Sequence, residues 1–330
     1  MNDVNILWRR LILLLTESGV GINKALLAVV LIVVSSILDF FLVGFFAFLL
    51  NKEQTLSLPD FVYIISPITL VYIFGFLVLI SSYVKIISFR FSIKLSFLVF
   101  ENLNKRIFGF ISEWNYSEAK RSGYNDVFST IINKAPALVY NFLIPVINIL
   151  AGMATLLSIL MVVIFLGYWA LLPGVLLVGF LYVLVLRFYK KRLINNSFIV
   201  SSESDLEFRL LSNVNNTVRD IHLYSKYEEF QLMFSRIEGR LRGSQKWNYI
   251  DSSMPRLFLE GLVLLLIAFA LIFSLDSEQT AFLSSFAVVA LAAQKALPAM
   301  SLVFTSLSNI QANQSQVNDY LQLLNLKHQP

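Results

Sequence analysis

Apolar residues in this chain gather into six runs, roughly 25–50, 61–87, 137–166, 169–186, 254–275 and 280–304, joined by connectors of very unequal length. Each run is at least about the 17 to 25 residues a helix needs to cross the hydrocarbon core of a bilayer. A backbone in lipid must satisfy its own hydrogen bonds, so the runs predict six transmembrane helices in an all-α membrane protein. Connectors 85–134 and 187–253 are long and polar, whereas 51–60, 167–168 and 275–279 are short and nearly uncharged.

Within the long connectors the pattern stays helical. Phe89, Ile93, Phe97, Phe100, Leu103, Ile107 and Phe110 recur at helical spacing, which predicts one helix over Phe61–Phe110, roughly 75 Å at about 1.5 Å per residue. It should stop near Trp114-Asn115-Tyr116. Ser117, Glu118 and Lys120 then suggest a short capped turn closed by Ser122-Gly123, with a new helix from about Asn125-Asp126. The fourth run is expected to continue to about Asn216. Asn213, Asn215, Asn216 and Thr217 are poor helix-interior residues and mark the bottom of a hairpin, from which a helix returns at Val218 towards Pro255. The sixth run continues as helix from Val303 to about Leu324. The expected architecture is thus six spans with long extensions forming two hairpins with short polar tips.

Charge gives this architecture an orientation. Lys85, Arg90, Lys94, Lys105, Arg106, Lys120, Arg121 and Lys134 fall in the first long connector, and the second is basic from Arg187 to Lys246; the short connectors hold only Lys52. The positive-inside rule places both termini in the cytoplasm, and the expected location is multi-pass in a bacterial inner (plasma) membrane. The chain is 57% hydrophobic and 14% charged, with a mean hydropathy of +0.71, which excludes a soluble globular domain. A net charge of +5 placed beside spans argues for membrane lipid as a partner rather than nucleic acid. The chain has no cysteine, and its two histidines, His222 and His328, stand far apart; disulfides and a metal centre are not expected. Residues 1–24 form the expected N-terminal element, with 5–18 as an amphipathic interfacial helix that has Trp8 and leucines down and Arg9 and Arg10 up; the rival reading is a disordered tail. Residues 25–325 form the membrane domain and 326–330 a tail.

Several segments together resemble the transmembrane domain of ABC exporters. Phe110–Gly123, with Trp114-Asn115-Tyr116-Ser117-Glu118-Ala119-Lys120-Arg121-Ser122-Gly123, looks like that family's first coupling region, and Leu210–Leu223, ending in Arg219-Asp220-Ile221-His222-Leu223, like its second. Pro136 and Pro145, Met254-Pro255-Arg256 with Glu260, Gln294-Lys295-Ala296-Leu297-Pro298 and the closing Ser308–Leu324 are similar to the lipid-linked oligosaccharide flippase branch. The resemblance implies six spans, an elbow helix, and docking of a nucleotide-binding domain through Ser117, Glu118, Lys120, Arg121, Gly123, Asn213, Asn216, Thr217, Arg219 and Asp220. It also implies a second transmembrane subunit, in a homodimer or heterodimer, and outward transport of an amphipathic lipid or lipid-linked saccharide; peptides and drugs are alternatives. A bland reading of the same tips is a pair of solvated turns. One departure is large. No glycine-rich phosphate loop of the G-x-x-x-x-G-K-[ST] kind occurs, so no ATPase or catalytic residue is expected here. ATP and Mg belong on a separate chain or on a further part of a longer protein.

Inside the runs, charges are few. Asp39 in the first run costs at least about 2.5 kcal/mol on insertion scales; it is a cavity residue for a polar headgroup, or a helix–helix hydrogen bond to a serine. Depth along the spans matches Lys295 with Glu260 rather than with Asp39, and Arg256 competes for Glu260 as an i,i+4 neighbour. Lys295 and Arg256 read either as a cationic wall for a diphosphate or as a structural pair with Arg256 snorkelling. Pro298 is a candidate hinge or a static kink. A secondary carrier or channel would want inverted repeats or Gly-broken helices, and a membrane enzyme would want clustered carboxylates or histidines; neither pattern is found.

Overall fold

The computed structural model describes residues 11–50, 67–113, 124–165, 172–274 and 279–326; these are helical apart from short turns, with no strand among them. Helix α1 covers 11–17, α2 Ile22–Leu50, α3 Pro67–Ser112, α5 Leu172–Leu223, α6 Tyr227–Ser274, α7 Gln279–Ala312 and α8 Gln314–Leu326. Helix α4 runs from Tyr124 to Phe165 through π turns at Thr130–Lys134 and Val139–Leu143. The described residues of all six apolar runs lie on helices. Among the described residues, three stretches are long and apolar enough to cross a membrane, Ile22–Leu49, Ile68–Ser112 and Val127–Phe165.

The long helices extend far beyond a bilayer core. Helix α3 has 46 residues, α5 52 and α6 48; at ~1.5 Å per residue each is about 70 to 80 Å long, more than twice the ~30 Å of hydrocarbon. Helix α3 ends at Ser112 and α4 begins at Tyr124, close to the expected limits. The first tip, with Ser117, Glu118, Lys120, Arg121 and Gly123, lies outside the described residues.

The second hairpin turns later than expected. Asn213–Asn216 stay helical, and the helical dihedrals break only at Thr217 (φ −117°, ψ 15°). Thr217 Oγ1 donates to the Asn213 carbonyl at 2.7 Å, a back-bond that competes with the backbone ladder and bends helices. A short helical segment follows, and the chain reverses at Tyr224–Lys226. There Lys226 N–H donates to Ile221 C=O and Ser225 N–H to His222 C=O, with Ser225 at φ 52°; this is a Schellman closure with serine where glycine is usual. Helix α6 then returns from Tyr227 rather than Val218, with Glu228 and Glu229 in its first turn, where they favour the helix dipole.

Helix α3 turns only part of its periodic apolar series inwards. Phe89 and Phe97 are exposed, while Ser81, Ser88, Ser92 and Ser96 are buried, followed by Val99, Leu103 and Ile107. The covered stripe is therefore hydroxyl-bearing in its first half and apolar in its second. The apolar half joins Leu14 of α1, Val20, Leu138 and Phe142 of α4, and Tyr320 and Leu324 of α8 in the main core cluster. Helix α1 thus buries Leu14 against protein, with Ile12 and Leu13 on its exposed side, and ends at Gly19 in left-handed geometry (φ 64°).

The expected unbroken sixth helix divides at Asn313 into α7 and α8. Side chains from neighbouring helices satisfy the backbone groups this exposes: Asn248 Nδ2 donates to the Ala312 carbonyl at 3.1 Å, and the Ser315 N–H donates to buried Ser197 Oγ at 2.9 Å. Helix α8 then lies against α5 and the first turns of α4.

Candidate functional site

Helices α2, α3, α4 and α7 surround a cavity of about 580 Å³. Spacing of three and four residues brings Lys85, Ser88, Ser92 and Ser96 of α3 onto one wall, Asn148 and Thr155 of α4 onto another, and Lys295, Ser301 and Thr305 of α7 onto a third. Helix α4 approaches α7 closely because residue 152 is glycine: a Cβ there would stand 2.6 Å from Val303 Cγ2 and 2.9 Å from the Ala299 carbonyl oxygen.

Asp39 stands behind this wall and is fully buried. Lys85 Nζ lies 2.7 Å from its Oδ2 and donates to Oδ1 at 2.9 Å; Lys295 Nζ reaches Oδ1 at 3.3 Å, and Ser81 Oγ at 3.5 Å. So the serine contact foreseen for Asp39 is present, but two ammonium groups dominate it. Lys295 meets Asp39, against the depth reckoning that matched it to Glu260. A lysine carries its charge on a flexible four-carbon stem, which bridges the offset in height that counting along the spans reveals. The side chains of Arg256 and Glu260 lie outside the described residues. Pro298 lines the cavity one turn beyond Lys295, and α7 passes through it as one helix.

Electrostatics follow from this arrangement. Both lysines line the cavity and are partly exposed, while the single carboxylate that neutralises them is sealed away. Among the described residues the group carries one surplus positive charge, facing hydroxyl and amide donors. Such a chamber suits a partly desolvated anion with several acceptor oxygens.

Lys85 was read in the sequence only as a connector cation. Its signal was available: it falls in step with Ser81, Ser88, Ser92 and Ser96. Lys134, by sequence another connector cation, is 3% exposed and lies 2.7 Å from both Asp205 Oδ2 and Asp319 Oδ2. Ser129 Oγ donates to Asp205 at 2.8 Å and Ser201 Oγ to Asp319 at 2.5 Å. This cluster ties the first π turn of α4 to α5 and α8.

At the second hairpin end, Asn213, Asn216, Arg219 and Asp220 are exposed and Thr217 is half-buried. Around them Val218, Leu223, Tyr224 and Tyr227 present between half and three-quarters of their surface, an apolar addition to the polar tip read from the sequence. No protein-family model matches this chain, and no curated protein matches it.

Proposed function

We propose that this chain is the membrane-spanning part of an ATP-driven exporter of the ABC type, moving an amphipathic anion outwards through the cavity between α2, α3, α4 and α7. The reading rests on one juxtaposition: the chain carries a cationic, hydroxyl-lined chamber between α2, α3, α4 and α7 and, between α5 and α6, a hairpin tip with exposed Leu223 and Tyr224 at the end of a 52-residue helix. An exposed aromatic and aliphatic patch so far along a helix calls for a protein partner, and a nucleotide-binding domain is the partner the coupling-region resemblance implies. That domain, on a separate chain or on the same polypeptide, would hold the ATP and Mg.

A lipid with a phosphate or diphosphate headgroup fits the chamber, since Lys85 and Lys295 offer charge and the serines offer directional donors. The lipid-linked saccharides implied by the sequence resemblance belong to this class. On this reading the protein sits in a bacterial inner membrane, with both termini cytoplasmic and a second transmembrane subunit completing the pathway.

The test is recovery of the chain from gently solubilised membranes, followed by an ATPase assay on what accompanies it. The expected result is a nucleotide-binding partner or domain whose activity falls at least tenfold when Leu223 and Tyr224 are both replaced by alanine. Absence of any ATPase in the recovered material overturns the proposal.

A further inference from the structure

Helices α5 and α6 lie side by side. Both pass between an apolar run and a polar connector, α5 after Leu186 and α6 before Met254. Just outside the runs the charge is one-sided. Residues 187–199 and 243–254 hold Arg187, Lys190, Lys191, Arg192 and Lys246 against one carboxylate, Asp251. That carboxylate is buried, and Arg192 Nε lies 3.0 Å from its Oδ2, with 50% of the arginine side chain left exposed.

A second contact fixes this arginine. Its Cζ stands 4.6 Å from the centroid of the Trp247 ring, and Lys246 Nζ stands 5.3 Å from the same ring. A guanidinium held at Nε by a buried carboxylate and stacked on an indole gives up most of its rotamer freedom in advance. Its exposed end is then a pre-organised fork, and a phosphate takes such a fork through two parallel hydrogen bonds. A cation that only anchors a helix end in water needs neither support. On the same face of α5, one turn nearer the apolar run, Phe188 is 77% exposed.

Height identifies the source of the phosphate. Arg192 follows Leu186 by six residues and Trp247 precedes Met254 by seven, which is about 9 to 10 Å along each helix at ~1.5 Å per residue. Headgroups occupy roughly 5 to 7 Å beyond each side of the hydrocarbon, within reach of an arginine side chain. The surplus of cations favours a headgroup with net negative charge over a zwitterionic one. We propose that Arg192, Trp247 and Lys246 bind the phosphodiester of an anionic glycerophospholipid from the adjoining leaflet, with Phe188 against its acyl chain. This lipid is resident and not cargo, because none of these residues lines the cavity between α2, α3, α4 and α7. It joins α5 to α6 at the bilayer surface. The site rests on the reading of the apolar runs as membrane spans, and not on the exporter reading.

For the test, the full chain is held in mild detergent with equal amounts of phosphatidylglycerol and phosphatidylcholine, and the lipids it retains are counted by native mass spectrometry. Phosphatidylglycerol should be retained over phosphatidylcholine by about fivefold or more. That preference should fall below about twofold in Trp247→Leu, and in Arg192→Gln combined with Asp251→Asn, which removes the arginine without stranding a buried carboxylate. Arg192→Lys should lose most of it too, since an ammonium keeps the charge but not the fork. Arg90→Gln, which removes an exposed cation of α3, should leave it unchanged. Equal retention of the two lipids by the unaltered protein overturns the site. So does an equal fall in Arg90→Gln, the mark of diffuse attraction to basic surface. Displacement of the lipid by millimolar inorganic phosphate also overturns it, by showing a site for a soluble oxyanion. Whether an ATPase accompanies the chain bears on the exporter reading alone.

Discussion

Lys134 Nζ lies 2.7 Å from Asp319 Oδ2, across 185 positions of sequence. The same ammonium reaches Asp205 at 2.7 Å, so a single buried cation holds α8 and α5 to the start of α4. Removing one partner of a buried pair costs about 3–5 kcal/mol, but the aspartates are a quarter to a third exposed and water would relieve part of that. Lys134→Met is therefore expected to lower stability by about 2–3 kcal/mol. Unfolding followed by circular dichroism in mild detergent measures it, and a loss below ~0.5 kcal/mol contradicts the assigned role.

The Asp39 group predicts an asymmetry. Lys295→Met leaves Asp39 paired with Lys85 at 2.7 Å and should cost under about 1 kcal/mol. Asp39→Asn leaves two ammonium groups facing one another without a counter-charge, and about 3 kcal/mol is expected. Thermal midpoints of the two variants, side by side, test the order; the reverse order refutes the geometry.

At Gly152, α4 and α7 approach each other closely. An added methyl meets Val303 Cγ2 and the Ala299 carbonyl, so Gly152→Ala should lose roughly 1–3 kcal/mol by overpacking. Adding Val303→Ala should recover only part, because the carbonyl cannot be trimmed. Full recovery in the double variant would show that the backbone contact is not limiting.

Between α5 and α6, burial pushes the Glu207 carboxyl above the usual range, and the charge of Glu238 adds to it, against the pull of Arg242. The folded state therefore holds this proton more tightly than the unfolded one, and stability falls as pH rises through the glutamate range. Glu207→Gln removes that penalty. Its thermal midpoint should exceed that of the parent at pH 7.5 and match it near pH 4; an equal gain at both values would rule out the ionisation as the cause.

Much of the architecture was legible because runs of apolar residues and sparse Pro and Gly constrain a chain strongly. Faces were less legible. Of the periodic series on α3, Leu103 and Ile107 are buried, yet Phe89 and Phe97 lie outside and the serines lie within. Small polar residues gather between closely packed helices, which is where these serines stand. The Lys295 partner was missed because depth reckoned at Cα positions ignores the length of a lysine. The hairpin end was placed too early because four helix-averse residues precede it, whereas the actual stop is a Schellman closure on Ser225 that lacks its glycine marker. The π turns have no side-chain signature at all.

Those turns give α4 slack in its length. Elsewhere in a straight helix, losing one residue swings everything beyond it by about 100°. A π turn is wider than an α turn by one residue, so a deletion within Val139–Leu143 lets the turn relax to ordinary winding and leaves both flanks facing as before. This turn is thus where the helix can shorten without swinging Asn148 and Thr155 away from the lysine-lined cavity.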